Sequence, residues 1–477
     1  MKVLSVAAEI YPLIKTGGLA DVAGALPGAL APQGVEMTSL VPGYPAVLQA
    51  LENGQELYRF DNLGGGYAVL RKGKAKGLDV IVLDAPHLFN RPGNPYLGPD
   101  GKDWPDNARR FAVFSEVAAD LASGKLGAYS ADLLHAHDWQ AALACVYLRY
   151  RGGPKSLLTI HNIAFQGVFA PEIFMSLNLP PDAYGLNGVE YYGNVSFLKG
   201  GLASASALST VSPTYAQEIC TANYGMGMEG LLQSRQASLA GIVNGIDDDV
   251  WNPAIDAALP QRFDAKSIDK RKLNKRELER RFDLETGEGI IHGVVSRLTW
   301  QKGLDIFATL LDGVVEQGAR VAVLGNGDAA IEQAFKVAAE RHKGRVGIVT
   351  SYDEKLSHLI QGGADTMLVP SRFEPCGLTQ LYGLRYGCVP LVARVGGLAD
   401  TIIDANDAGL AAQVATGIQF IPVDGVTLQG ALARTHDLYN QPALWRGLQQ
   451  RGMASDVSWT RSALAYANLY KHILTVK

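Results

Sequence analysis

One five-residue string, Gly-Gly-Leu-Ala-Asp, occurs twice in this chain of 477 residues, at 17–21 and at 396–400. Each copy follows an apolar run, residues 2–8 before the first copy and residues 389–393 before the second. Apolar runs of this length are typical of strands buried in a parallel sheet, and a glycine turn after such a strand is typical of a Rossmann-like unit. The repeat therefore predicts two Rossmann-like units whose glycine turns face one cleft from opposite sides. The alternative is a chance match in a chain rich in Gly, Ala and Leu.

The rest of the chain alternates apolar runs with helix-like stretches. In the first half, the predicted strands are 80–83, 133–135 and 157–160, and the predicted helices between them are 107–122 and 140–150. In the second half, the predicted strands are 290–295, 320–324, 346–350 and 366–369. This alternation predicts an α/β fold with two doubly wound parallel sheets.

The length of the chain exceeds what one hydrophobic core normally supports, so two domains are expected. Turn-forming residues at 244–253, followed by a charged segment at 264–281, indicate a hinge between them. Asp247 and Asp249 form a D-x-D pattern in that hinge, and a turn explains the two acids more simply than a metal site does. The stretch 462–473 has the pattern of an amphipathic terminal helix.

Composition and charge exclude several classes of partner. The formal net charge is −4 and no run of Lys and Arg forms a basic stripe, so no nucleic acid partner is expected. Nowhere do about 18 apolar residues follow one another, so no membrane span is expected. Glu9 interrupts the short N-terminal apolar run before any cleavage-like site. The four cysteines are far apart, which argues against zinc and disulfides and favours a reducing cytoplasm.

Residues 371–383 contain the most specific candidate site. The apolar run 366–369 precedes a turn that Pro370 and Pro375 bracket, so Glu374 lies at the carboxyl end of a predicted strand. Residues 377–379 then open a helix whose free N–H groups can bind an anion. A carboxylate beside an anion-binding turn suits a substrate that carries both hydroxyls and phosphates. The alternative is that Glu374 only caps the helix.

Three cations lie next to turns that follow predicted strands. Lys15, with Gly17 and Gly18, forms a candidate diphosphate cradle, for which an ordinary loop with a solvated lysine is an equally good explanation. Arg297 and Lys302 follow the first strand of the second half. The pair suits a diphosphate because Arg supplies a rigid fork and Lys a mobile charge. A solvated pair at a helix start is the alternative, although the helix dipole favours acids there.

Polar side chains also follow the strands of the first half. Asp138 and His161 come directly after buried strands, where a side chain can reach a substrate; capping of the following helices is the alternative. His135 and His137 are two residues apart on one strand. The prediction is that their side chains point to opposite faces and therefore do not share a metal.

Four segments, 15–21, 135–139, 296–303 and 372–379, closely resemble the motifs of bacterial glycogen synthases and plant starch synthases, which form glycosyltransferase family 5. The resemblance spans essentially the whole chain. It implies a GT-B fold, in which two Rossmann-like doubly wound domains face an interdomain cleft. It also implies retaining transfer of glucose from ADP-glucose to the non-reducing end of an α-1,4-glucan such as glycogen, without a metal or other cofactor.

The resemblance assigns roles to individual residues. The predicted catalytic residues are Glu374, His161, Arg297, Lys302 and Asp138. The predicted donor-binding residues are Lys15, Gly17, Gly18, Asp21, Gly325, Tyr352, Cys376, Gly377, Leu378 and Thr379. Two positions depart from the family pattern: Val395 stands where the relatives commonly have Thr, and Tyr382 stands where the wider superfamily often has a second Glu.

The resemblance also implies a division of the chain. An N-terminal domain at 1–245 would lie on the acceptor side, a C-terminal domain at 246–458 would bind the nucleotide sugar, and a terminal helix at 459–477 would cross back to the first domain. A cytoplasmic enzyme is expected, with ADP-glucose and a glucan as its partners, and a homo-oligomer is compatible with the sequence. The choice of ADP over UDP rests on resemblance alone, so an α-glucan synthase with relaxed or UDP-glucose donor use is the alternative.

Three other classes of protein fit the sequence less well. A nicotinamide dehydrogenase should carry G-x-G-x-x-G after its first strand and an acid about 20 residues later, and neither is present. A P-loop kinase needs Ser or Thr after a Gly-Lys pair, and every such pair in this sequence lacks it. A non-catalytic glucan-binding protein would not need cations on both sides of a cleft.

Overall fold

The computed structural model describes residues 1–127, 129–351 and 353–476. The chain divides into two compact units, of which the first comprises Met1–Asn244 and Trp459–Lys477 and the second comprises Gly245–Ser458. Each unit contains its own main sheet, which is mostly parallel in the first unit and entirely parallel in the second. The sequence-based prediction of two α/β units is confirmed at this level.

The first unit alternates strands and helices along most of its length. Its strands are β1 (Lys2–Val6), β2 (Glu36–Pro42), β3 (Leu51–Leu63), β4 (Gly66–Ala75), β5 (Leu78–Asp84), β6 (Leu133–His137), β7 (Lys155–Ile160), β8 (Val168–Phe169), β9 (Glu190–Tyr191), β10 (Asn194–Ser196), β11 (Ala207–Thr210) and β12 (Leu239–Gly241). Its helices before the second unit are α1 (Gly18–Leu30), α2 (Pro45–Ala50), α3 (Pro86–Phe89), α4 (Asn107–Ala122), α5 (Asp138–Arg151), α6 (Phe197–Ser204), α7 (Pro213–Glu218) and α8 (Glu229–Ser234).

The main sheet of the first unit has nine strands among the described residues, in the order β12-β11-β7-β6-β1-β2-β5-β4-β3. The strands from β12 to β5 run parallel, and β4 and β3 extend the sheet as antiparallel neighbours. From β1 the chain moves outward through β2 and β5, and later returns to the other side of β1 through β6, β7, β11 and β12. The strand order therefore reverses between β1 and β6. Open α/β sheets bind ligands beyond the carboxyl ends of the strands at such a reversal.

The second unit restarts the same alternation. Its strands are β13 (Ile291–Val295), β14 (Arg320–Leu324), β15 (Val346–Val349), β16 (Thr366–Val369), β17 (Val389–Ala393) and β18 (Ile418–Phe420). Its helices are α9 (Arg271–Arg281), α10 (Leu304–Thr309), α11 (Leu311–Glu316), α12 (Ala329–Arg341), α13 (Glu354–Gly363), α14 (Thr379–Tyr386), α15 (Gly396–Thr401), α16 (Asp407–Ala411), α17 (Gly425–Tyr439) and α18 (Pro442–Ala454).

The sheet of the second unit is entirely parallel, in the order β15-β14-β13-β16-β17-β18. Numbered within the unit, this is the order 3-2-1-4-5-6 of a doubly wound dinucleotide-binding fold. The reversal lies between β13 and β16. The segments that follow these two strands contain Arg297, Lys302 and Glu374, so the topology places these predicted residues at the ligand-binding edge of the sheet.

The final helix, α19 (Thr460–Thr475), belongs to the first unit. It buries Ala463, Tyr466, Tyr470 and Ile473, whose spacing of three or four residues forms one helical face. This face shares a core with the buried face of α1 and with residues near the beginnings of β1, β2, β6, β7 and β11. Within the described residues, the helices are too short or too polar to cross a membrane.

Candidate active site

The loop after β1 is closed by a buried carboxylate. Glu9, whose relative exposure is 3%, accepts hydrogen bonds from the Thr16 backbone N–H, from the Thr16 hydroxyl at 2.7 Å and from the Tyr96 hydroxyl. The loop therefore ends at a fixed point immediately before Gly17. Sequence reasoning missed Glu9 and Tyr96 as site residues. The sequence signal that could have found Glu9 is an acid three residues beyond the first strand, because a carboxylate buried there needs hydrogen-bond donors.

The first glycine turn is open. Gly17 precedes α1 with an extended backbone, and a Cβ atom added to Gly17 or Gly18 would meet no described atom within 4 Å. The first amides of this thirteen-residue helix lie beside that space. Lys15, predicted to bind a diphosphate, pairs with Asp21, another predicted donor contact, at 2.7 Å. The two side chains are 38% and 21% exposed, so the pair remains at the surface.

Asp138 begins α5 directly after β6. Its backbone has φ +54°, a left-handed conformation that is uncommon for residues with a side chain. The carboxylate is buried and accepts a hydrogen bond from the His161 backbone N–H at 2.7 Å. Burial raises the pKa of Asp138 to about 7, against backbone hydrogen bonds from His161 and Asn162 that lower it, while the charge of Glu9 raises it further. Near neutral pH this carboxyl is therefore divided between its two protonation states.

Three buried histidines lie close together on neighbouring strands: His135 and His137 belong to β6, and His161 directly follows β7. The His135 and His137 rings are 4.1 Å apart and tilted by 37°, so the prediction that they point to opposite faces is wrong. The physical reason is the pleat of the strand: residues two apart point to the same face, and only successive residues alternate. The His137 Nδ1 lies 3.0 Å from the Nε2 of His161. Sequence reasoning thus found His161 but missed its closest ring partner.

Burial keeps these histidines neutral. It lowers the pKa of His137 to about 3, and it lowers the pKa values of His135 and His161 well below their usual range, with neighbouring histidines adding to the shift. The described residues contain no group of three or more His, Cys, Asp or Glu side chains arranged to hold a metal ion. The array is therefore a set of neutral donors and acceptors.

In the second unit, the loop after β16 holds Glu374 in a fixed orientation. The Glu374 Oε2 lies 2.5 Å from the Lys302 Nζ, and it accepts a hydrogen bond from the Ser371 hydroxyl at 2.8 Å. The Glu374 and Lys302 side chains are only 9% and 18% exposed, so this pair is much less hydrated than the Lys15–Asp21 pair. A charged pair this well screened from water is oriented rather than mobile.

Lys302 reaches Glu374 because the turn after β13 packs on the loop after β16. The Arg372 backbone N–H donates to the Gln301 carbonyl at 2.9 Å. A Cβ atom at Gly303 would lie 2.0 Å from the Pro370 carbonyl oxygen, so only glycine permits this approach. The Arg372 guanidinium forms a two-bond pair with Asp305, at 2.6 and 2.8 Å. These contacts bring Lys302 and Glu374 together although they are 72 residues apart.

Arg297 behaves differently from Lys302. Its side chain is exposed, and among the residues that the structure describes none pairs with its guanidinium. Lys302, by contrast, is engaged with Glu374. Of the two cations predicted to bind one diphosphate, Arg297 is the one whose side-chain donors have no partner in the part of the chain that the structure describes.

The second glycine turn is filled by the protein itself. Gly396 has φ +42°, and a Cβ atom there would lie 2.0 Å from the Glu374 carbonyl oxygen. A Cβ atom at Gly397 would lie 2.2 Å from the Cys376 carbonyl oxygen. The Gly397 backbone N–H donates to the carbonyls of Glu374 and Pro375 at 3.1 Å. Packing on the Glu374 loop therefore requires both glycines of the second turn, and that this turn also faces a ligand stays a prediction.

The remaining predicted donor-binding residues of the second unit continue this loop. Cys376 is buried, Gly377 has φ +74°, and Thr379 begins α14 as predicted. The Gln380 side-chain amide donates to the carbonyls of Cys376 and Gly377, at 3.1 and 2.9 Å, and so fixes the turn before the helix. Leu378 is half-buried and packs against the core of this unit.

Gly325 follows β14, and a Cβ atom there would lie 1.8 Å from the Ser296 carbonyl oxygen. The turns after β13 and β14 are therefore in backbone contact. Tyr352, also predicted to bind the donor, lies outside the described residues.

Asp247 caps a turn by accepting hydrogen bonds from the backbone N–H groups of Asp249 and Val250, which agrees with the turn interpretation of the D-x-D pattern.

The second unit also contains a cavity of about 620 Å³ next to the start of α13. Among the described residues, its lining contains none of the predicted site residues and consists of Asp249, Val250, Ile255, Asp256, Ala257, Ala258, Asp353, Glu354, Lys355 and His358. Asp256 accepts hydrogen bonds from His358 and Tyr386 at 2.7 and 2.6 Å. Burial opposes ionisation of Asp256, but these hydrogen bonds prevail and hold its pKa below the usual range.

Comparisons with known proteins identify the family. The model of the starch synthase catalytic domain matches residues 2–234, and the model of glycosyl transferases group 1 matches residues 275–418. The chain is 54% identical to a glycogen synthase of Mesorhizobium japonicum over 100% of this chain and 99% of that protein. It is 55% identical to glycogen synthase 1 of Rhizobium meliloti over 99% of each chain.

Solved structures agree with the sequence matches. The catalytic domain of starch synthase IV from Arabidopsis thaliana, bound to ADP and acarbose, aligns with a TM-score of 0.87 at 29% identity over 99% of each chain. Sucrose-phosphate synthase from Thermosynechococcus elongatus aligns over 100% of each chain with a TM-score of 0.61 at 16% identity, which supports the fold alone. The fold is thus the GT-B fold implied by the sequence motifs. The chain belongs to the family of glycogen and starch synthases and is a glycosyltransferase.

Proposed function

We propose that this protein elongates an α-1,4-glucan by transferring glucose from ADP-glucose to its non-reducing end with retention of configuration. The observation that carries the proposal is the Lys302–Glu374 pair, held at 2.5 Å where the strand order of the second sheet reverses. The relatives point to the same reaction, since two rhizobial relatives are glycogen synthases and a plant structure of the same fold contains ADP and acarbose.

The second unit would bind the donor. Arg297 is exposed and has no partner among the described residues, so its planar fork is available to two phosphate oxygens. Lys302, on the same turn after β13, would add a second positive charge. It also pairs with Glu374, whose carboxylate would accept hydrogen bonds from glucose hydroxyls. The backbone of residues 376–379, at the start of α14, would supply N–H groups to the donor. Gly325 and Tyr352 complete the proposed set.

The first unit would supply the remaining groups. Gly17 and Gly18 leave open space in front of the α1 amides, and Lys15 and Asp21 flank it. Asp138 and His161 are joined through the His161 backbone N–H at 2.7 Å. The domain boundaries, 1–245, 246–458 and 459–477, and a hinge at 244–253 belong to the same proposal. Compaction in small-angle scattering on adding ADP and a glucan tests the hinge, and identical curves at saturating ligand would contradict it.

The chemistry must retain configuration without an obvious nucleophile. Glu374 is paired with Lys302 and Ser371, and the raised pKa of Asp138, about 7, makes it a weak candidate for a permanent carboxylate. We therefore propose attack on the same face of the sugar. The C1–O bond to the diphosphate breaks, a C1–O bond to the acceptor hydroxyl forms, and the hydroxyl proton passes to the leaving diphosphate. Arg297, Lys302 and Lys15 stabilise the charge on the diphosphate, and His161 supports the oxocarbenium-like sugar.

The kinetic test removes the proposed cations. Arg297→Ala and Lys302→Ala should each lower kcat by about 10²–10³ with a smaller effect on KM for ADP-glucose. Arg297→Lys should not restore the rate because the planar fork is lost. Arg280→Ala is the matched control, since Arg280 is exposed in the same unit and pairs only with Glu277 among the described residues. Rates within threefold of the wild type for both alanine variants would refute the assignment.

The donor and the covalent alternative need separate measurements. Calorimetric titration with ADP, UDP, ADP-glucose and UDP-glucose should show tighter binding of the adenine nucleotides; equal binding would favour the relaxed-donor alternative. Azide should not restore the activity of Glu374→Ala. A glucosyl azide product, or glucose trapped on Glu374 or Asp138, would establish a double displacement instead. A chelator should leave the rate unchanged, because the proposed roles require no metal.

A further inference from the structure

His161 is connected to the centre of the first sheet by two hydrogen bonds. The His161 Nε2 lies 3.0 Å from the His137 Nδ1, and the His137 Nε2 lies 3.2 Å from the Ser5 hydroxyl. Ser5 belongs to β1 and His137 ends β6, the two strands between which the order of the sheet reverses. Ser5 and His137 are fully buried, whereas His161 retains 8% of its exposure. The three side chains thus form a line from the core to the candidate site.

The bond between two neutral imidazoles needs one donor and one acceptor. Each neutral ring carries a single N–H, so His137 and His161 cannot both donate or both accept across the 3.0 Å contact. If His137 donates from Nδ1, its Nε2 is a lone pair and the proton of His161 must be on Nδ1. If His161 donates from Nε2, the proton of His137 must be on Nε2 and the Nδ1 of His161 is a lone pair. The direction of one bond therefore sets what His161 can offer to a substrate.

Ser5 decides between these two directions. Among the described residues, its hydroxyl has one side-chain partner, the Nε2 of His137. If the Ser5 O–H donates to that nitrogen, His137 carries its proton on Nδ1 and donates it to the Nε2 of His161. Both buried hydrogens then have acceptors, and the proton of His161 is on Nδ1. In the opposite direction the Ser5 oxygen would accept a hydrogen bond from the His137 Nε2–H, and the buried hydroxyl hydrogen of Ser5 would have no acceptor among the described residues. An unsatisfied buried donor is costly, so the first direction is favoured.

We propose that Ser5 and His137 are positioning residues that fix the tautomer of His161, so that its Nδ1–H is presented as a hydrogen-bond donor to an oxygen atom of the substrate. This inference rests on the proposed function for the role of His161. It adds two residues that sequence reasoning did not select and a defined proton position. No described residue occupies the Nδ1 of His161 as a hydrogen-bond partner.

The surroundings support a tautomeric rather than an ionic mechanism. Burial lowers the pKa values of all three histidines far enough that they stay uncharged at neutral pH. The His135 ring lies against the His137 ring with 4.1 Å between their centroids and a tilt of 37°. His135 is itself held by hydrogen bonds with Thr159 at 2.6 Å and with Tyr470 of α19 at 2.8 Å. The His137 ring is therefore held in place on its face as well as at both nitrogens.

The direct test determines the tautomer without measuring activity. Long-range ¹H–¹⁵N correlation spectra of the full-length protein with ring-labelled histidine distinguish an Nδ1–H from an Nε2–H ring, and His161→Gln assigns the signal. We expect the Nδ1–H tautomer for His161 in the wild type and a shift toward a mixture in Ser5→Ala. Ser115→Ala is the matched control, because Ser115 is equally buried and donates to the Gln140 carbonyl. An Nε2–H tautomer in the wild type, or no change in Ser5→Ala, would overturn the proposal.

A kinetic test uses the geometry of the side chains. The Asn amide nitrogen occupies the place of a histidine Nδ1, so His137→Asn can still donate to His161, whereas His137→Leu cannot. We expect His137→Leu to lower kcat about tenfold and His137→Asn to lower it less than about threefold, with KM for ADP-glucose little changed in both. Equal losses in the two variants would overturn the positioning role. A wild type that transfers no glucose would instead refute the proposed function and leave the spectroscopic result unaffected.

Discussion

The string Gly-Gly-Leu-Ala-Asp is identical in the two units, but its two copies have opposite environments. Gly17 and Gly18 are exposed, and Cβ atoms added there would meet no described atom within 4 Å. Gly396 and Gly397 are buried, and Cβ atoms there would lie 2.0 and 2.2 Å from backbone carbonyl oxygens of the Glu374 loop. Packing requires glycine in the second unit, whereas only an approaching ligand would require it in the first.

The difference shows how one local motif can serve two purposes. In the first unit the turn leaves helix amides accessible, and the nearby ion pair, Lys15–Asp21, is partly hydrated. In the second unit the turn supports a loop that holds a well-screened ion pair, Lys302–Glu374. The ion pair of the first unit is therefore open to solvent, and the ion pair of the second unit is largely shielded from it.

The largest expected effect comes from the second glycine of each string. Gly397→Ala should destabilise the second unit by about 4 kcal/mol or more, or prevent its folding, because the new methyl group would overlap the backbone of Cys376. Gly18→Ala is the matched control, and it should change stability by less than about 1 kcal/mol because a Cβ atom there has open space. Calorimetric unfolding of both variants is the measurement. Similar losses of stability would show that the two turns are equivalent after all.

If a donor approaches the first turn, Gly18→Ala should raise KM for ADP-glucose while the unfolding temperature stays near that of the wild type. This separates a ligand requirement from a packing requirement. An unchanged KM would remove Gly18 from the proposed site without affecting the assignment of Arg297 and Lys302.

Asp138 should make the stability of the first unit depend on pH. Its pKa is raised from 3.8 to about 7 in the folded state, so the folded state binds more protons than the unfolded state between these values. The contribution of Asp138 to the free energy of unfolding should therefore fall by roughly 2–4 kcal/mol as pH rises from about 4 to 7. The lowered pKa values of His135, His137 and His161 act in the opposite direction over this range, so the comparison with an Asp138 variant isolates the contribution of the carboxyl. In Asp138→Asn this contribution is absent, so the variant should gain stability relative to the wild type at pH 8 compared with pH 4.5. A difference in unfolding temperature that does not vary with pH would contradict the prediction.

Lys302→Ala should destabilise the second unit by about 1–3 kcal/mol, because Glu374 would retain a charge that is 9% exposed without its cationic partner. Glu374→Gln combined with Lys302→Ala should recover part of this loss, since neither charge then remains. The measurement is a double-mutant cycle by calorimetric unfolding. Additive effects of the two substitutions would show that the pair is not coupled.

The smallest effect is expected for the corresponding pair of the first unit. Lys15→Ala should change stability by less than about 0.5 kcal/mol, because exposed ion pairs are solvated and screened. The same substitution should nevertheless raise KM for ADP-glucose if Lys15 binds the diphosphate. Unfolding temperature and initial rates measured at low and high salt distinguish the two contributions.

Much of the fold could be predicted from local sequence. The bounds of β16, β17 and α4 agree with the apolar runs and the helical pattern, because strands covered on both faces are continuously apolar and half-buried helices are periodic. The strands β3 and β4 were not predicted. Most residues of β3 are exposed, so its sequence lacks the apolar run that marked the buried strands.

The sequence by itself determined the α/β class, the family motifs and the chemical types at the candidate site, since these depend on residue order and short-range periodicity. Only the tertiary structure decided which of those residues meet. It paired Lys302 with Glu374 and Lys15 with Asp21, filled the second glycine turn with backbone, and placed His137 between Ser5 and His161. The physical reason is that most of these contacts join segments far apart in the sequence, by up to 132 residues, and their geometry depends on strand order and packing that no local pattern contains. Even the Lys15–Asp21 pair, six residues apart, depends on how the loop after β1 folds.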